Sequence, residues 1–102
     1  MRSLPIEISE QQISQFCHRH HIRKLALFGS VLRNDFRPES DVDVLVEFDP
    51  DHVPGFIRLH QLEQELSPLL GHHKLDLVTE KFLNPRLRDR ILQEAQVQYA
   101  EG

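Results

Sequence analysis

Apolar and polar positions alternate with recognisable periods along most of the chain. The segment Ser9 to Gln12 has the form of a helix-capping box, with serine at the N-cap and glutamine three residues later. Apolar residues then recur at helical spacing, so the pattern predicts a helix from about Glu10 to His20 with Cys17 on its buried side. The residues up to Ile8 predict only an extended lead-in.

Three short segments have the composition of strands. Leu25 to Phe28 is a continuous apolar run, the pattern of a buried strand. Asp41 to Phe48 alternates acids with valines, and Lys74 to Thr79 places one aspartate among apolar neighbours. After the first strand, Gly29-Ser30 predicts a turn whose serine caps a short helical segment beginning at Val31.

Two more helices are predicted in the second half of the chain. Leucines at steps of three and four indicate a helix from about Gly55 to Leu70, which Pro68 kinks or ends early and Gly71 terminates. The pair Asn84-Pro85 predicts the N-cap and first residue of a last helix. The tail Val97 to Ala100 either pairs as an edge strand or extends that helix.

Composition limits the classes of function. At 102 residues, the chain has room for one core, so we expect a single domain over residues 1–102. There is no long apolar run or signal-like segment, and the lone Cys17 excludes an internal disulfide, which together favour the cytoplasm and no membrane partner. A formal net charge of −4 and the lack of an aromatic stacking platform disfavour direct nucleic-acid binding.

The chemistry is concentrated in aspartates that lie within apolar strands. Asp41 and Asp43 are two residues apart, so their side chains project to the same face of the strand. Carboxylates that close repel each other unless a cation lies between them, and Mg²⁺ prefers such oxygen ligands. Asp76 is a third acid in an apolar strand, where its charge needs a partner. The sequence therefore predicts a shared metal site; the alternative is three solvent-facing aspartates at strand ends.

The turn after the first strand is a candidate phosphate site. Gly29 lets a ligand approach the main chain, and the N–H groups of a helical turn beginning beside Ser30 favour an anion. Arg33 lies one helical turn beyond Ser30, so its guanidinium can reach the same side. Taken alone, Gly-Ser is equally a plain turn, and Arg33 could pair with Asp35 or face solvent.

Together these residues resemble a known family. Gly29-Ser30-x-x-Arg33, followed after six residues by Ser40-Asp41-x-Asp43-Val44-x-Val46, is similar to the signature of minimal nucleotidyltransferases of the DNA polymerase β superfamily. Leu75-Asp76-Leu77-Val78 matches that family's third acidic strand. The resemblance implies an α+β fold of two layers, with a mixed nucleotidyltransferase sheet of three to four strands and helices mainly on one face. One departure is Asn34, where glycine is frequent, which affects the local loop shape.

The same resemblance implies a function and a partner. Family members of this length resemble antitoxins that transfer AMP from ATP, the co-substrate, to a tyrosine hydroxyl of a HEPN-type toxin. Asp41 and Asp43 would bind two Mg²⁺ ions, and Asp76 would bind the catalytic ion and help to deprotonate the hydroxyl. Two metals about 3.5–4 Å apart serve in-line phosphoryl displacement by activating the attacking oxygen and steadying the leaving group.

The remaining roles concern the nucleotide. Gly29 and Ser30 would hold the β- and γ-phosphates, and Arg33 would help to position the nucleotide or a phosphate.

Other interpretations stay open at this point. The chain could be a catalytically idle antitoxin that neutralises its toxin by complex formation, or it could transfer nucleotides to a small molecule or RNA. His18 and His21 are three residues apart on a helix, so a transition-metal site is conceivable. His72 and His73 follow the helix stop and are expected to interact with its last carbonyls.

Overall fold

The computed structural model describes residues 4–101, which form three helices and four strands. In chain order these are α1 (Glu10–Arg19), β1 (Ile22–Phe28), β2 (Val42–Phe48), α2 (Phe56–Leu66), β3 (Leu75–Val78), α3 (Arg88–Glu94) and β4 (Gln96–Ala100). Within this part of the chain, none of the helices has the length and apolar character that crossing a membrane requires.

The four strands form one mixed sheet in the order β3-β2-β1-β4. β1 is antiparallel to both β2 and β4, whereas β2 and β3 are parallel. The end of β1 therefore lies beside the beginnings of the other three strands, and we call this side of the sheet the upper edge. The tail Val97 to Ala100, for which the sequence left two conformations open, forms an edge strand, because it lies in β4 and pairs with β1.

Helices cover the two faces of the sheet unequally. Both α1 and α2 pack on one face, against a core to which Val42, Val44 and Val46 contribute from β2. The opposite face carries a smaller cluster around Ala26 and Leu45, against which α3 packs. The predicted α+β fold with helices mainly on one face is confirmed, and α3 is the exception.

The first helix begins where its capping signal predicts. The Ser9 hydroxyl oxygen accepts from the Gln12 N–H at 3.3 Å, and Cys17 is fully buried as expected, while the helix ends at Arg19. β1 is longer than predicted because it already begins at Ile22, which pairs with Phe48 of β2. Main-chain pairing there includes charged positions that the apolar pattern leaves out.

The two later helices differ in how well the sequence places their ends. α2 stops at Leu66 and continues as a 3₁₀ turn that contains Pro68, and Gly71 ends it with a φ of 79°, as predicted. The predicted N-cap at Asn84 is wrong, since α3 begins only at Arg88. The Asn84 side-chain oxygen accepts from the N–H two residues along at 3.0 Å, which makes a separate turn before the helix.

Candidate active site

Three aspartates meet at the upper edge, on the face opposite α1 and α2. Asp43 and Asp76 are direct neighbours in the register of the parallel β2 and β3 strands. Asp41 immediately precedes β2, two residues from Asp43, while the intervening Val42 points into the main core. Asp41 and Asp76 are exposed, and Asp43 is half-buried. Strand pairing therefore groups residues that are far apart along the chain.

Asp43 is the electrostatic centre of this group. Burial raises the pKa of its carboxyl group, and the negative charges of Asp76 and then Asp41 raise it further. The positive charge of Arg33 acts in the opposite direction and lowers this pKa. A carboxylate with two acidic neighbours and only one opposing cation is an arrangement that a bound divalent cation would stabilise.

Gly29 leaves the space that the Asp43 carboxylate occupies. Its φ is 77°, in the left-handed region, and a Cβ added there would collide with Oδ2 of Asp43 and lie 3.2 Å from Cγ. Glycine adopts this conformation without strain, and a larger residue would force the Asp43 carboxylate to move. The Gly29 main chain therefore lies directly beside the Asp43 carboxylate.

Ser30 and Arg33 occupy the turn that follows. The prediction that Ser30 caps a helical segment from Val31 is wrong, because the 3₁₀ turn already begins at Gly29 and includes Ser30. The Ser30 hydroxyl instead donates to the Asp41 carbonyl at 3.2 Å, and the Arg33 N–H donates to the Ser30 carbonyl at 2.9 Å. The turn thus connects the candidate phosphate residues with the acids.

The donor set fits Mg²⁺ in its chemistry. Hard divalent ions take carboxylate oxygens, and three aspartates lie at this edge of the sheet near Gly29, which has no side chain. As they stand, no three His, Cys, Asp or Glu side chains within residues 4–101 are gathered closely enough to hold an ion. Mutual repulsion separates like charges, and the exposed side chains of Asp41 and Asp76 can reorient at small cost.

The prediction for His72 is confirmed, whereas His21 and the His73 ring have other partners than those predicted. The His21 ring stacks on His52, with centroids 3.7 Å apart and an interplanar angle of 10°, and no metal-holding set that includes His18 forms among the described residues. His72 bonds the terminal turn of α2 through its main-chain N–H, which donates to the Ser67 carbonyl at 2.9 Å. The His73 ring bonds the Ser40 carbonyl at 2.9 Å, a partner 33 residues away that no local pattern reveals.

Comparison with known proteins identifies the family. The sequence model described as "Nucleotidyltransferase domain" matches residues 9–97. The protein adenylyltransferase MntA of Thermococcus cleftensis is 34% identical over 76 residues, which cover 74% of each chain. The Methanocaldococcus jannaschii protein MJ0435, provisionally named a protein adenylyltransferase, is 38% identical over 77 residues, covering 76% of this chain and 80% of that one.

Solved structures of related proteins support the same family assignment. One provisionally described as a minimal nucleotidyltransferase has a TM-score of 0.66 at 36% identity and covers 84% of this chain and 85% of its own. A toxin–antitoxin crystal structure with AMP-PNP has a TM-score of 0.71 and covers 91% of this chain and 74% of its own, but at 19% identity it shows the fold alone. The chain therefore belongs to the nucleotidyltransferase domain family, as a minimal nucleotidyltransferase of the DNA polymerase β superfamily.

Proposed function

We propose that this chain is an ATP-dependent protein adenylyltransferase that serves as an antitoxin and transfers AMP to a tyrosine hydroxyl of a HEPN-type toxin. The observation that carries the proposal is the matched register of Asp43 and Asp76 beside the bare Gly29 turn. A protein acceptor is supported by the relatives named protein adenylyltransferases and by fold neighbours that are toxin–antitoxin structures.

The turn at the end of β1 binds the nucleotide. The Gly29 and Ser30 main chain lies against the β- and γ-phosphates, because the N–H groups at the start of this helical turn favour an anion. Arg33, whose charge already acts on Asp43, contributes a cation beside the phosphates. With this turn fixed to Asp41 through the Ser30 hydroxyl, phosphates and acids keep a set relative position.

The acids carry the transfer step. Asp41 and Asp43 would hold two Mg²⁺ ions and Asp76 would hold the catalytic one, and when bound these ions would supply compensation of phosphate charge and a more acidic attacking hydroxyl. Asp76, exposed at the site, accepts the proton from the tyrosine hydroxyl. The tyrosine oxygen bonds to the α-phosphorus while the bond between that phosphorus and the α–β bridging oxygen breaks, so pyrophosphate leaves with the electron pair.

The test is transfer of label from ATP to the toxin. The protein is incubated with Mg²⁺, ATP labelled at the α-phosphate and the product of the neighbouring gene, and the toxin is analysed by intact mass and peptide mapping. We expect one or more adenylyl groups on a tyrosine, and none with Asp41→Ala combined with Asp43→Ala. Label that persists in this double variant would contradict the proposal.

A second candidate is neutralisation by binding alone. It is favoured by large apolar side chains that are exposed on and near α2, such as Phe56 at 78% and Ile57 at 81%. The same experiment separates the two candidates, since a binding antitoxin would neutralise the toxin equally well with the aspartates replaced and without ATP.

A further inference from the structure

Three main-chain polar groups on the consecutive residues Ser40, Asp41 and Val42 are each hydrogen-bonded to another part of the chain. They are the Ser40 carbonyl, which accepts from His73 Nδ1 at 2.9 Å, the Asp41 carbonyl, which accepts from the Ser30 hydroxyl at 3.2 Å, and the Val42 N–H, which donates to the Lys74 carbonyl at 2.9 Å. The main chain that carries this exposed aspartate is therefore fixed at three successive positions.

His73 is itself held in place. The Ser67 hydroxyl donates to the His73 carbonyl at 2.6 Å, which links it to the end of α2. Its ring packs against Phe36, with centroids 5.0 Å apart and planes inclined by 49°. Because a carbonyl oxygen only accepts, Nδ1 must carry the proton in this contact. The ring thus acts as a fixed donor, half-buried between the turn before β2 and the turn before β3.

We propose that His73 is a positioning residue for nucleotidyl transfer, which holds Asp41 in place relative to Asp76. His73 lies three residues before Asp76 and directly bonds the residue before Asp41, so one side chain connects the main chains of both acids. Replacing a residue that orients metal ligands typically lowers metal affinity or activity about 10–100-fold. This inference rests on the proposed function, in which both acids bind the same ions.

Two substitutions separate the donor from the ring. His73→Phe keeps an aromatic ring against Phe36 but removes the Nδ1 donor. His73→Asn removes the ring but keeps an N–H close to the position of Nδ1. His18→Phe, on the exposed side of α1, makes the same chemical change away from the site and serves as the control.

Metal binding is measured apart from catalysis. Mn²⁺ is titrated by electron paramagnetic resonance into each protein with a non-hydrolysable ATP analogue, and the Mg²⁺ concentration for half-maximal AMP transfer is measured separately. We expect His73→Phe to weaken Mn²⁺ binding and to raise the Mg²⁺ requirement about tenfold. His73→Asn should recover most of this loss, and His18→Phe should match the wild type.

The opposite results overturn the inference. The first is a folded His73→Phe that binds Mn²⁺ as tightly as the wild type. The second is a His73→Asn that has the melting temperature of the wild type but binds Mn²⁺ as weakly as His73→Phe does. If His73→Phe does not fold, His73→Leu, which also lacks the donor, takes its place: a Mn²⁺ affinity about tenfold weaker than that of His73→Asn supports the role, and equal affinities refute it. A wild type that binds Mn²⁺ and nucleotide but transfers no AMP defeats only the proposed function; one that binds no Mn²⁺ defeats both.

Discussion

Asp43 and Asp76 lie opposite each other across the parallel pair of β2 and β3, in matched register. Burial and then the charge of Asp76 are the two largest causes that raise the pKa of Asp43. Since main-chain pairing holds these two acids side by side, the site has an electrostatic cost in the metal-free protein that a bound divalent cation would remove.

Replacing Asp43 should therefore stabilise the metal-free protein. Because its folded pKa lies above the unfolded value, ionised Asp43 destabilises the fold: the cost is absent below the usual value of about 4, develops as the pH rises through the folded pKa, and is complete above it. We expect Asp43→Asn to melt higher than the wild type at neutral pH, with a difference that shrinks as the pH falls towards about 4.

Thermal melts in a metal chelator at several pH values measure this effect. Asp35→Asn, at an exposed aspartate in the loop after Arg33, is the control and should show no such pH-dependent gain. Added Mg²⁺ with nucleotide should stabilise the wild type and not Asp43→Asn. A lower melting temperature for metal-free Asp43→Asn at neutral pH would contradict the electrostatic account.

Asp41→Asn should separate activity from stability. Asp41 is exposed, and its main-chain bonds do not involve its carboxylate, so the free energy of unfolding should change by less than about 0.5 kcal/mol. AMP transfer should fall at least about a hundredfold, as when one group that stabilises a transition state is removed. Denaturant titration and initial rates check both values, and a large loss of metal-free stability would show a structural role instead.

Gly29→Ala should damage both fold and site. The new Cβ would collide with the Asp43 carboxylate, and the alanine would have to adopt a φ of 77°, which is strained for any residue with a Cβ. We therefore expect a loss of at least about 1 kcal/mol in unfolding free energy together with loss of transfer. Gly55→Ala, at the N-cap of α2 with open space around it, should cost roughly 0.5 kcal/mol and leave transfer intact.

A double variant identifies the cause of that damage. Adding Asp43→Ala to Gly29→Ala removes the collision. Gly29→Ala should therefore lower the unfolding free energy less in the Asp43→Ala background than in the wild type. Strict additivity in denaturant titrations would mean that the carboxylate does not occupy the space beside Gly29.

The thiol of Cys17 should be inert in the folded protein. Burial raises its pKa to about 12, and the side chain is fully buried in the main core, so neither thiolate nor access is available near neutral pH. Labelling with a thiol reagent at about pH 8 should proceed only as fast as the protein unfolds, and should become rapid in denaturant. Rapid labelling under native conditions would contradict this.

Periodicity predicts the helices, three of the strands and the shared face of Asp41 and Asp43, whereas the mixed sheet and the place of Asp76 beside them are implied by the family resemblance. Alternation along β2 fixes the side of the sheet on which Asp41 and Asp43 project, because valines must enter the core. Contacts between distant residues escape such patterns, as the bond from His73 to Ser40 shows. A capping residue can also form a different local structure from the one its pattern predicts. The Asn84 side chain accepts from the N–H two residues along and forms a separate turn, so α3 begins later than predicted.

The central claim is that Asp41, Asp43 and Asp76 hold divalent ions beside nucleotide phosphates at Gly29-Ser30. Anomalous diffraction from crystals grown with Mn²⁺ and a non-hydrolysable ATP analogue tests it most directly. The account predicts metal peaks bonded to Asp41 and Asp43, one of them also to Asp76, with the triphosphate against the Gly29-Ser30 main chain. Peaks held elsewhere, for example by His21 and His52, or Asp76 turned away from a bound nucleotide, would contradict it.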